Sequence, residues 1–249
     1  MMKKIIPTLI IFLIALSLTV TLIAQEDALS IIRKVDEMAK TTTSVAKMSM
    51  LTFPYSEDNS NYRDMKVLAY GKGDDDSYME FISPKSIKGL RILSKDGDQW
   101  VYFPSTGRVR KIAAKSKDQS VRGVGGDFSY EDLGGGSMEE KYTFKILTSD
   151  KDSWTLEGIP IKESAYSKII VVIIKDNYMT PKVEFHTGED GHKKDLTAEE
   201  FKTISGRLMP TRMTMTNLIK QSKTVVIIHE AEYDIPIDDK YFNPMRFYK

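Results

Sequence analysis

The 249-residue chain contains no cysteine. That absence excludes thiol nucleophiles, thiolate metal ligands and disulfides. It also excludes acylation at a cysteine behind an export signal, the attachment that anchors bacterial lipoproteins. Histidine is nearly as scarce, with only His186, His192 and His229. The first two flank the turn Thr187-Gly-Glu-Asp-Gly191 with no third nitrogen or thiolate nearby, so they read as solvated loop residues and no metal site is expected. Net charge is lacking too: the formal value is +1, which argues against a nucleic-acid groove and its strong positive field.

Catalytic motifs are missing as well. The chain has no Gly-x-Ser-x-Gly elbow and no His-Glu-x-x-His. Glycines 123, 125 and 126 make neither a dinucleotide fingerprint nor a phosphate-binding loop, and Asp74-Asp75-Asp76 lacks the ligand spacing of a calcium loop. Glu131 and Asp132 are adjacent, and neighbours on a helical turn point apart, so they read as capping and solvated groups rather than an acid and base pair. The sequence supplies no reason to expect an enzyme or a cofactor.

What is present begins with Met1-Met-Lys-Lys4, an uncharged apolar run from Thr8 to Ala24, and then Gln25-Glu-Asp27. A basic start, a short apolar core and an abrupt polar boundary make a signal peptide over residues 1–24, with cleavage expected after Ala24. Leu22 is larger than the usual residue at that distance from a cleavage site, so an uncleaved anchor is the alternative, although the run is shorter than the ~20 residues of a spanning helix. The remaining 25–249, 225 residues of formal charge −1, suffice for one β domain with a real core. With no lipid-bearing cysteine, the expected mature protein is soluble, free to cross an aqueous compartment.

Asp27 to Lys40 carries Leu29, Ile32, Val35, Met38 and Ala39 at helical spacing, which predicts an amphipathic helix. From Ser44 the period becomes two. Strands are expected around Ala46, Met48 and Met50, over 63–71 and 77–83, and over 89–95 paired with 99–103 across Asp96-Gly97-Asp98. Further strands follow at 141–148, 153–157, 168–175, 179–187, 196–205, 208–217 and 224–233. The run Ile169-Ile-Val-Val-Ile-Ile174 reads as a strand buried on both faces. About eleven strands at short spacing point to a mainly β antiparallel barrel or strongly curved sheet with few helices. The aromatic tail, with Tyr241, Phe242, Phe247 and Tyr248, is expected to pack down as a plug.

The chain is organised around Gln99 to Leu133. Trp100 and Tyr102 alternate with Val101 and Phe103, Pro104 and Gly107 turn the chain into Arg108-Val-Arg-Lys-Ile112, and Gly125-Gly-Asp-Phe-Ser-Tyr-Glu-Asp-Leu133 follows. Ser129, three residues before Asp132 and ahead of three glycines, suits one capped helical turn. This order, with Phe81-Ile-Ser-Pro84 and Lys88-Gly-Leu90 upstream, resembles the LolA-like family of outer-membrane lipoprotein-sorting proteins. The resemblance is densest from 78 to 133.

It implies an incomplete antiparallel β-barrel of LolA/LolB type covered by helical lid elements, which holds acyl chains of lipoproteins or lipids against its apolar concave face. Such a carrier moves cargo from an inner-membrane transporter toward an outer-membrane acceptor. The alternative is a non-catalytic accessory module of an envelope (RND-type) transporter. Methionine accommodates varied apolar shapes, and with apolar neighbours it supplies the cavity candidates: Met48, Met50, Met65, Met79, Phe81, Leu93, Trp100, Tyr102, Met213 and Met215. Lid candidates are Leu29, Ile32, Val35, Phe128, Tyr130 and Leu133. Arg108, Arg110 and Lys111 are candidate contacts for head groups or an acidic partner, and equally suit an outer strand kept soluble by charge.

Overall fold

The computed structural model describes residues 26–249; the expected signal peptide and its cleavage point lie outside them. A 12-residue helix, α1 (Ala28–Ala39), is followed by β1 (Thr43–Phe53), β2 (Arg63–Lys72), β3 (Asp76–Ser83), β4 (Arg91–Lys95), β5 (Asp98–Phe103) and β6 (Arg108–Lys111). A crossover containing the short helix α2 (Met138–Lys141) leads to β7 (Tyr142–Ser149) and β8 (Ser153–Pro160). Then come β9 (Lys168–Ile174), β10 (Lys182–Thr187), β11 (Gly191–Ile204), β12 (Arg207–Asn217) and β13 (Ser222–Tyr233). The thirteen strands form one sheet in the order β6-β5-β4-β3-β2-β1-β13-β12-β11-β10-β9-β8-β7, two more than the eleven expected. Every pairing is antiparallel.

The order has a simple consequence. The first and last strands meet in the middle, and the free edges, β6 and β7, are consecutive in the chain. The sheet is therefore an unclosed barrel whose gap is bridged by the 112–141 crossover.

Strand alternation divides the side chains between two faces. On the concave face of β1–β5, Met50, Met65, Val67, Phe81, Ile92 and Val101 are buried with Ile87, Leu90, Val121, Val124 and Tyr130, which the 84–90 loop and the crossover lay over them. On the concave face of β8 and β9, Trp154, Leu156, Ile169, Val171 and Ile173 are buried under Ile31 and Ile32 of α1. Each of these two isoleucines is fully buried, a contribution of about 1.5–3 kcal/mol apiece. Asp27 caps α1 by accepting from the Ser30 N–H at 2.7 Å.

The opposite face of β3–β5 is covered by the C-terminal tail. Phe242 and Phe247 of the tail bury Tyr78 and Leu93 there, with Tyr70, Trp100 and Tyr102 at the margin. Tyr241 stacks on Tyr70 at 4.5 Å and Tyr248 on Tyr102 at 5.7 Å. The tail does pack down, but as a cover on the outside of the sheet rather than a plug. No such layer reaches β9, so only Ile169, Val171 and Ile173 are buried while Ile170, Val172 and Ile174 stay partly open. The expectation of burial on both faces fails for that reason.

Candidate functional site

The crossover is tied down at each step, first by residues of the organising stretch and then by Gly135 and α2. Gly126 has φ +79° and so close an approach to β13 that a Cβ would lie 2.7 Å from Thr224 Oγ1. This brings Asp127 onto β13, where its carboxylate accepts from Ser222 Oγ at 2.5 Å and Thr224 Oγ1 at 2.9 Å. Ser129 and Asp132 then form the anticipated reciprocal cap: the Ser129 N–H donates to Asp132 Oδ2 at 2.7 Å, and the Asp132 N–H to Ser129 Oγ at 3.3 Å. Gly135 passes over the β2–β3 turn where a Cβ would meet the Asp75 carbonyl oxygen at 2.5 Å, so only glycine fits. α2 is held to α1, because Asp36 accepts from the N–H groups of Met138 and Glu139 at 2.8 and 3.0 Å. Arg33 pairs with Glu139 at 2.7 Å.

Between this crossover and the concave face lies a cavity of about 610 Å³, within the ~300–1,000 Å³ of small-ligand sites. Its apolar lining is Phe128, Met138, Tyr142, Tyr166, Ile169, Val183, Phe185, Leu196 and Met215. Acidic groups outnumber basic ones around it, with Asp75, Asp96, Asp98, Glu131, Asp132, Glu140 and Glu163 against Lys117, Lys141 and Lys162.

The carboxylates nearest the floor are engaged. Asp132 Oδ2 accepts from Lys194 Nζ at 2.9 Å and Asp132 Oδ1 from Tyr166 OH at 2.5 Å, with the Asp132 and Lys194 side chains only 2% and 7% exposed. Burial, reinforced by the Asp132 charge, pushes the Tyr166 phenol well above its ordinary range. Glu131 accepts from Ser164 Oγ and from the Ala165 N–H at 2.7 Å. Asp132 is thus a buried ion-pair member, not the solvated group the sequence suggested; its partner stands sixty-two residues downstream, beyond any local reading. Burial holds Lys141 below the usual lysine value, opposed by the charges of Glu131, Asp75 and Asp36. Gln99 donates to Ser94 Oγ at 3.0 Å and the Tyr130 carbonyl at 2.7 Å, leaving its own buried Oε1 without a partner in the lining.

Of the ten cavity candidates, only Met215 borders this space. Met48, Met50, Met65, Met79, Phe81 and Met213 share its face but pack into the solid cluster beneath the 84–90 loop and the crossover. Leu93, Trp100 and Tyr102 lie on the other face, against the tail. Among the lid candidates, Phe128 lines the cavity, Tyr130 and Leu133 belong to the solid cluster, and Ile32 and Val35 hold α1 on the sheet. Leu29 is 45% exposed, because the buried stripe of α1 runs Ala28, Ile31, Ile32, Val35. Arg108 and Arg110 are exposed on edge strand β6, while Lys111 pairs with Asp98 at 2.6 Å and lies over the Trp100 ring; none of the three lines the cavity. Ile169, Val183, Phe185 and Leu196 line the cavity although none is a sequence candidate; their signal is alternation within strands already marked, where methionine is favoured instead. Lys194, which anchors Asp132, lies outside those strands and has no such signal.

Three solved structures share this architecture. A domain named for outer membrane lipoprotein sorting from Vibrio parahaemolyticus is 26% identical, with TM-score 0.78, covering 89% of this chain and 98% of its own. A DUF1329 family protein from Desulfovibrio piger is 23% identical, with TM-score 0.77 and coverage of 86% and 95%. A LolA superfamily protein from Nitrosomonas europaea is 23% identical, with TM-score 0.73 and coverage of 88% and 98%. A family model described as "-like: Uncharacterized protein" matches residues 73–248, more than half of the chain. The chain belongs to the family that this model describes, and its fold is LolA-like. No curated protein matches it in sequence. The matched span of this LolA-like chain runs from the β2–β3 turn through the tail. It therefore takes in the crossover and every strand that borders the cavity.

Proposed function

We propose that this LolA-like protein is a periplasmic carrier, with residues 25–249 acting as one domain after loss of the signal peptide. It binds acyl chains of lipoproteins or lipids and moves them toward the outer membrane without chemistry of its own. The observation that carries this reading is the 610 Å³ cavity, apolar on its sheet side and roofed by elements tied together through α1 and α2. Hydrocarbon in water costs about 0.8 kcal/mol per methylene, so sheltering a chain needs only an apolar space and an opening.

The polar groups favour carriage over catalysis, since Asp132 is held by three donors and Glu131 by two. They also favour a type of cargo. With Asp132 paired to Lys194 and Asp98 to Lys111, five acidic groups face three lysines around the lining, an excess that disfavours anionic head groups and suits an acylated cargo with a neutral or cationic polar end.

Native mass spectrometry of protein purified from its own host tests this reading. The expected result is a co-purifying acylated species, lost in Val183→Glu. A consistently ligand-free protein that also fails to take up an added acylated peptide overturns it. In that case a stable complex with an envelope transporter would favour the accessory-module reading.

A further inference from the structure

On the face of the sheet away from the cavity, β10 and β11 bring Glu184, His186 and His192 together, with one ligand atom from each within 4.8 Å of the others. The register explains how. Phe185 pairs with Lys194 but His186 pairs with His192, so one residue of β11 is bulged out. A bulge shifts the side-chain alternation beyond it, and here it turns His192 to the side of His186, where the two rings stack at 4.8 Å and 17°.

We propose that Glu184, His186 and His192 form a binding site for a divalent transition-metal ion of the zinc class. Two imidazoles and a carboxylate are a donor set suited to such ions. His186 Nε2 is buried without a hydrogen-bond partner and lies 3.5 Å from Glu184 Oε2, too far for a good bond and open to an ion between them. His192 Nε2 is 2.9 Å from Asp195 Oδ1. A carboxylate at one ring nitrogen fixes the tautomer that leaves the other bare for a metal, the usual outer partner of a metal-bound histidine.

The surrounding lysines do not block the site. Lys182 occupies the other oxygen of Glu184, Oε1, at 2.7 Å, and Lys168, opposite His186 in the ladder, is drawn off by Glu157 at 3.0 Å. An ion bound here would clasp β10 to β11 directly behind Phe185, part of the cavity wall.

The test is calorimetric titration of zinc chloride into the untagged, chelator-stripped chain, with circular dichroism to confirm the fold of each variant. One saturable zinc per chain is expected, weakened at least tenfold by His186→Ala and by His192→Ala. It should be unchanged by His229→Ala and unchanged or tighter in Lys182→Gln. Cobalt loaded into the unaltered chain should give visible absorption that zinc abolishes, a readout independent of how any variant folds. Absence of saturable zinc uptake, or uptake indifferent to both histidine substitutions, overturns the proposal.

Discussion

The concave face is largely apolar, yet its two halves are finished differently. Over β1–β5 the chain fills the hollow itself, with Ile87, Leu90, Val121, Val124 and Tyr130 pressed onto the sheet methionines and Phe81. Over β8–β12 the cover is a separate helix and the far end of the crossover, and about 610 Å³ is left between cover and sheet. An oily sheet face is therefore not in itself a binding site. What matters is whether the covering segment carries large apolar side chains at the points where it crosses.

Truncation should separate the halves most sharply. Phe81→Ala removes a fully buried ring from the filled half and should cost about 3–5 kcal/mol in denaturant unfolding. Lys194→Met should cost a similar 3–5 kcal/mol, because it leaves the Asp132 carboxylate buried without its cation. Val183→Ala, facing the existing cavity, should cost only about 1–2 kcal/mol for two lost methyl groups. Equal losses at Phe81 and Val183 would mean that the second half is packed as solidly as the first.

Acid should loosen the halves unequally. Glu157 is held below the usual carboxylate range by Lys145 and Lys168, and Glu184 by Lys182. A carboxyl depressed in the folded state stabilises it above the unfolded value, 4.5 for glutamate, and that stability is lost as pH falls through the depressed value. Hydrogen-exchange protection in β7–β10 should accordingly fall before that in β2–β5 as pH is lowered below about 4.5. The smallest effect is expected at the edge: replacing Arg108 and Arg110 by alanine should leave both melting temperature and acyl-chain uptake unchanged.

Much of this was legible in the chain. Alternating residues located the strands, Asp96-Gly97 marked a hairpin, and the spacing of Ser129 and Asp132 announced the capped turn. Sidedness was not legible where both alternates are apolar: in Trp100-Val101-Tyr102-Phe103 either pair could face inward, and only the late-arriving tail decides that Trp100 and Tyr102 face out. In α1, Leu29 and Ile31 compete for the same stripe, and the sheet chooses Ile31. The bulge that reunites His186 and His192 leaves no trace in composition, so two histidines that read as solvated turned out to share a face. The Asp132–Lys194 pair and the void above Phe185 arise from segments far apart in sequence, and no local pattern encodes them.

The seam between β1 and β13 sets the schedule on which the molecule can be made. Ser49 must wait for Ile227, so β1 keeps a bare strand edge that invites mispairing until almost the whole polypeptide has emerged. Such distant pairing slows folding. A protein assembled this way stands to gain from escort during its own biogenesis.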